Sequence, residues 1–280
     1  MSKVKILFYG TCHLHKINEL MKENSLYTEK YDDVYIPNFH FRIYDDDYKK
    51  DLFGKIISEI NQAQIIVYQP VSEKHGQWST EFLLKCAKET CRLIRFPNVY
   101  NTAFFPLCTL GDYLGTKVFG EETVVDLIKD NYSLDKIIEL YKTNQLNWNF
   151  ENRFKYNISL WQKEESKSEI RYCDFILANY KKYQLFEHAL YPTMILYVYL
   201  CNQLLDILGV AGIREVPFQY EGKTYQQLIS TPSYLFYKFE YISDTNLLGD
   251  NFYIDYISSI YEKYKNTNID DLNGKAEYDF

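Results

Sequence analysis

Apolar positions follow two different spacings in the first third of the chain. Lys3 to Tyr9, Asp33 to Ile36, Gln64 to Tyr68 and Arg92 to Phe96 are short apolar or β-branched runs, closed in turn by Gly10, Pro37, Pro70 and Pro97. Short runs bounded by such breakers are strand signals. Between them, Leu14, Ile17, Leu20 and Met21, then Leu52, Ile56 and Ile60, then Phe82, Leu83, Cys86 and Ala87 recur at the interval of a helix face. Strands alternating with helices predict βαβ units. The expected front of the molecule is therefore α/β, a parallel sheet in a three-layer arrangement.

From about Glu121 the helical spacing takes over. Ser133 stands as an N-cap before Ile137, Ile138 and Tyr141, and Phe150, Phe154, Ile158 and Trp161 fall on one helix face. Pro192 occupies the place of a first helical residue and Gly209 that of a stop. Between them, Met194 to Leu208 is apolar nearly all round, which predicts a buried helix. Val216 to Tyr241 fits neither spacing and carries a turn at Glu221-Gly222. Ile254, Ile257, Tyr261 and Tyr264 mark a last helix, ahead of a polar tail from Asn266 to Phe280. No repeat or linker divides the chain. Residues 1–280 read as one domain, with 1–118 forming the sheet portion and 119–280 a mainly helical portion packed on it.

Composition narrows the function classes. An apolar fraction of 46% with a net charge of −7 over 280 residues excludes a disordered chain and argues against a general nucleic-acid binder. The longest greasy segment is interrupted by Asn202, Gln203 and Asp206 and falls short of the ~20 apolar residues of a membrane span. The apolar stretch after Met1 is too short for a secretory signal, so a cytoplasmic location is expected. The six cysteines form no CxxC pair and read as reduced thiols.

In open parallel sheets, ligands bind beyond the carboxyl ends of the strands. Beyond the first predicted strand stand Gly10, Thr11, Cys12 and His13; beyond the third, Gln69; beyond the fourth, Arg95 and Asn98. A thiol, an amide and a guanidinium are thus expected to converge on one sheet edge. Cys12 is the sharpest candidate. It sits at the turn into a helix starting near His13, where free amide hydrogens and a partial positive charge favour a thiolate. The same amides suit an oxyanion or phosphate. The alternative for Cys12 is a small buried filler.

Arg95 suits a carboxylate or phosphate held bidentately, or a structural salt bridge. Gln69 either orients a substrate carbonyl or ties down its own loop. His13 adjoins Cys12, but neighbouring side chains on a helix point apart. Cys12, His13 and His15 lack a clear fourth ligand, so no metal is expected. His188 precedes the buried helix and either faces the sheet edge or is a satisfied core histidine. P-loop, GxGxxG and HExxH motifs are absent from the sequence.

These residues carry a family resemblance. Gly10-Thr11-Cys12-His13 resembles the Gly-Asn-Cys-Gln signature of the WcbI-type capsular polysaccharide biosynthesis proteins. Tyr68-Gln69-Pro70-Val71 resembles their Tyr-Gln-Pro element, and Arg95-Phe96-Pro97-Asn98, followed by Phe105-Pro106, their Arg-x-Pro block. Leu160 to Glu165 is similar to their Leu-x-x-x-Glu helix. Leu185-Phe186 with Tyr191-Pro192-Thr193 is similar to their Leu-Phe-x-x-x-x-His-Pro-Thr segment. The ordered matches span about Lys3 to Gly209. Two positions depart from the pattern: Thr11 replaces the usual Asn, and Tyr191 replaces the usual His, with His188 three residues earlier.

The resemblance implies a fold related to the SGNH hydrolases and a coenzyme A-binding protein. It implies an acetyltransferase that moves the acetyl group of acetyl-coenzyme A to a sugar hydroxyl of a surface polysaccharide, with a carbohydrate acceptor as partner. Cys12 would be the nucleophile or an oxyanion-site residue, and His188 or His13 the base. Gly10, Thr11, Gln69, Arg95 and Asn98 would hold the coenzyme. Two other readings stay open on the same residues: an esterase or thioesterase, and a non-catalytic coenzyme A- or glycan-binding protein.

Overall fold

The computed structural model describes residues 2–40, 46–101, 103–104, 119–143, 145–148, 150–189, 191–212, 214–217 and 250–266. The front is α/β, as the spacing predicts. Strand β1 (Val4–Gly10) leads into helix α1 (Cys12–Lys22), a short helix α2 (Ser25–Lys30) and β2 (Tyr31–Pro37). Helix α3 (Asp46–Gln62) precedes β3 (Ile65–Tyr68), and α4 (Thr80–Leu84) precedes β4 (Arg92–Arg95). The four strands are parallel in the order β2-β1-β3-β4. The chain therefore winds outward from β1 to β2, then crosses back to β3 on the other side of β1. That reversal makes the β1/β3 boundary a topological switch point, the place where open parallel sheets receive ligands.

Alternation along β1 explains the layers. Ile6 and Phe8 face one side and pack with Val67, Ile94, α1 and the later helices; Leu7 and Tyr9 face the other and pack with Ile36, Ile66, α3 and α4. Helices thus cover both faces, as buried parallel strands require.

The second half is mainly helical: α5 (Phe119–Lys129), α6 (Leu134–Lys142), α7 (Phe150–Glu165), α8 (Cys173–Asn179), α9 (Met194–Ile207) and α10 (Asp250–Tyr264). Ser133 caps α6 by accepting from the Lys136 amide, at 3.3 Å. Phe150, Phe154 and Trp161 are buried along α7. Helix α9 is buried nearly all round and packs on α1. It stops at Gly209, whose φ of 64° puts it in the left-handed region. Gly209 N–H donates to the Asp206 carbonyl and Val210 N–H to that of Leu205, the paired bonds of a Schellman stop. A third apolar cluster joins α5, α6 and α10 through Val124, Ile137 and Ile257.

Three expectations change. Pro192 does not open α9. It lies in a two-residue strand β6 (Tyr191–Pro192) paired antiparallel with β5 (Phe186–His188), and Thr193 is the N-cap. Helix α4 ends at Leu84, so Cys86 and Ala87 fall beyond it in tighter turns, bonded to the carbonyls of Leu83 and Leu84. Cys12 itself, one residue earlier than expected, is the first residue of α1. Phe105-Pro106, the Glu221-Gly222 turn and the tail beyond Asn266 lie outside the described residues.

Candidate active site

The last residue of β1 must be glycine. A Cβ on Gly10 would lie 2.6 Å from Leu14 Cδ2 and 2.8 Å from Gln69 Oε1. This closeness lets the strand end drop against β3 and turn at once into α1. Thr11 is the N-cap, extended at φ −78° and ψ −179°, and its hydroxyl accepts from the His13 amide at 3.3 Å. The same hydroxyl donates to Gln69 Oε1 at 2.8 Å.

Gln69 is fully buried, and all its amide hydrogen-bonding groups have partners. Its Oε1 accepts from the Thr11 amide, at 2.7 Å, as well as from the Thr11 hydroxyl. Its Nε2 donates to Pro97 O at 3.3 Å and to Asn98 Oδ1 at 3.2 Å. The donors around Oε1 and acceptors around Nε2 fix which way the amide points. One side chain thus ties the ends of β1, β3 and β4 together. Asn38, just past β2, adds the fourth strand end: its backbone N–H donates to Gly10 O at 2.9 Å and its Nδ2 to Gln69 O at 3.3 Å. The Tyr35 hydroxyl donates to the carbonyls of Gly10 and Thr11, each at 3.1 Å. The strand-end rule, applied to β2 as well, points to Asn38.

Cys12 stands on this platform at the positive end of α1, whose first turn holds no acidic residue. It is exposed, and its thiol donates to the Tyr191 hydroxyl across 3.8 Å. The protein mass around it still withdraws water and pushes its pKa up; the Tyr191 hydroxyl and the amides of His13 and Cys12 pull the other way without prevailing. Desolvation is the largest of these influences.

Tyr191 arrives through long-range pairing. Its ribbon is fixed by the Asn101 amide donating to Ala189 O at 2.7 Å, and by Thr193 N–H donating to Leu185 O at 2.9 Å. Its ring meets His13 edge-on at 5.8 Å, and His13 is buried between Tyr191 and Tyr197. His15 leaves the cysteine and stacks on Tyr35 at 4.4 Å. Among the described residues, no three His, Cys, Asp or Glu side chains gather as a metal site.

The other sequence candidates divide. Asn98 joins the cluster through Gln69, and its carbonyl accepts from the Tyr172 hydroxyl at 3.3 Å. Arg95 instead pairs with Glu164 of α7, its Nη2 lying 3.0 Å from Oε2 and 3.3 Å from Oε1. His188 pairs with Tyr191 in the ribbon backbone; its side chain lies outside the described part. Sequence reasoning missed Tyr35, Asn38 and Glu164 as supports. It noticed Tyr191 only as a departure from a motif.

The profile of the family described as polysaccharide biosynthesis enzyme WcbI matches residues 5–212. The chain belongs to this family. No curated protein matches the sequence. Among solved structures, the chain is similar to one of WcbI, a polysaccharide biosynthesis enzyme, described as the native protein without a disulfide bond between coenzyme A and one of its cysteines. The TM-score is 0.67 at 14% identity, over 94% of this chain and 92% of that one. At that identity the likeness speaks for the fold. The WcbI match begins inside β1 and ends just past α9, so it takes in all four strand ends and the Tyr191 ribbon. Among the described residues, no helix is long and apolar enough to cross a membrane.

Proposed function

We propose that the protein transfers an acetyl group from acetyl-coenzyme A to a sugar hydroxyl in surface-polysaccharide biosynthesis, with Cys12 at the reacting centre. One observation carries this reading: an exposed thiol at the N-terminus of α1, at the switch point of a parallel sheet, in hydrogen-bond contact with Tyr191. Membership of the WcbI family supports polysaccharide biosynthesis, and the similar structure's association with coenzyme A supports the donor. The residues present suit a thioester. The sulfur is accessible, and the helix end is not neutralised by first-turn acids.

In the proposed chemistry, the Cys12 sulfur attacks the thioester carbonyl. A new carbon–sulfur bond forms as the coenzyme's breaks, and the cysteine's proton ends on the departing thiolate. Developing negative charge on the carbonyl oxygen is met by amides at the start of α1. The sugar hydroxyl then attacks the acyl-cysteine, giving its proton to His13 or His188; the acyl carbon–sulfur bond breaks, and that proton passes from the histidine to the departing Cys12 sulfur, restoring the thiol. Gly10, Thr11, Gln69 and Asn98 hold the sulfur in place through the strand-end network. Arg95, paired with Glu164, steadies the end of β4.

Release of free coenzyme A from acetyl-coenzyme A, followed with and without a panel of sugar acceptors, tests the reading. Acceptor-dependent release with acetylated sugar as product is expected. Equal release without any acceptor would make the protein a thioesterase instead.

A further inference from the structure

Among the described residues, Tyr191 is the side chain that hydrogen-bonds the Cys12 sulfur, with the thiol donating to the hydroxyl oxygen across 3.8 Å. In a cysteine–histidine pair, an imidazole in this place takes the thiol proton and leaves an ion pair. A phenol behaves differently. Its oxygen accepts from an S–H and, after a turn about the C–O bond, its O–H donates to an S⁻. With an ordinary pKa of about 10, it neither takes the thiol's proton nor loses its own near neutrality.

Three titratable neighbours among the described residues have ring or hydroxyl contacts of their own. His13 on α1 lies edge-on to Tyr191 and to Tyr197 of α9. His15 on α1 stacks on Tyr35 of β2, and the Tyr35 hydroxyl donates to the carbonyls of Gly10 and Thr11. Tyr191 is 42% exposed, so its hydroxyl can turn without repacking the core.

We propose that Tyr191 serves both forms of the Cys12 sulfur, accepting from the thiol at rest and donating to the thiolate as it forms, so that this cysteine ionises without a histidine ion pair. This rests on the reading of Cys12 as the reacting centre. In the acyl-transfer step the Cys12 proton ends on the coenzyme's sulfur, one carbon–sulfur bond replaces another, and Tyr191 keeps its own proton throughout.

Alkylation by iodoacetamide reads this ionisation without any acyl donor. The full chain is alkylated between about pH 6 and about pH 10, and the Cys12 peptide is followed by mass spectrometry. A single alkaline rise is expected, with no reactive plateau below about pH 7. Tyr191→Phe moves that rise to higher pH and slows Cys12 roughly three- to tenfold at about pH 8, through loss of a donor to an anion. Cys86 in the same digest does not change. Tyr191→His moves the rise to lower pH. Unfolding would instead speed alkylation and expose the buried Cys173 and Cys201, so the two effects are distinguishable. A Tyr191→Phe profile that overlays the wild type's, or a wild-type plateau below about pH 7, overturns the proposal. If these profiles hold and acetyl transfer is absent, the functional reading fails and the Tyr191 assignment stands.

Discussion

Gln69 shows how one buried amide fixes the position of a sulfur one residue removed from its own contacts. It holds Thr11, Thr11 caps α1, and the cap places Cys12. Gln69→Leu leaves the Thr11 amide and the Pro97 and Asn98 acceptors unmatched in a buried site, so a loss of about 2–4 kcal/mol is expected in urea unfolding. Gly10→Ala brings a methyl against Leu14 and the Gln69 oxygen, and about 1–3 kcal/mol is expected in the same measurement. Thiol reactivity should divide by burial. Cys173 and Cys201 are buried, their pKa pushed up to about 11 and about 12, so both stay protonated at neutral pH. Mass mapping after brief alkylation of the native protein should find Cys12 modified and these two unmodified. The site's sulfur, amide and asparagine were legible because each stands immediately past a strand whose end is marked by Gly or Pro. The partner of the sulfur was not: Tyr191 lies 179 residues away, and only tertiary pairing brings it there.

The elements divide along similar lines. All four strands of the sheet could be read from apolar runs and breakers, and α6, α7, α9 and α10 from their helical spacing. Helix α2, with six residues, α8, with seven, and the β5-β6 ribbon are too short to show a period. Their placement depends on contacts with distant segments. The Glu165 carboxylate accepts from the amides of Tyr172 and Cys173 at the start of α8, a cap no local pattern announces. The Arg95–Glu164 pair, with side chains 19% and 20% exposed, similarly joins β4 to α7. A double-mutant cycle of Arg95→Met and Glu164→Leu should return a coupling of about 1–2 kcal/mol. Gly209→Ala forces a Cβ into the left-handed region that ends α9 and should cost about 1 kcal/mol, read from the shift in the urea midpoint.

At the scale of the molecule, the strand order decides where chemistry is placed. Winding from β1 outward to β2 and back across to β3 places the topological switch point beside the β1 terminus. The later helices close one face and deliver Tyr191 to the Cys12 sulfur. Parallel order was legible from the alternation of strand and helix. The sequence of strands across the sheet was not, because buried strands look alike on both sides of β1. The functional account stands on Cys12, and acetyl transfer by Cys12→Ala and Cys12→Ser, measured beside the wild type with a competent sugar acceptor, tests it most directly. A loss of at least about 100-fold in both variants, with coenzyme A still bound, is the predicted result. Near-full transfer by both would contradict a covalent role for this sulfur.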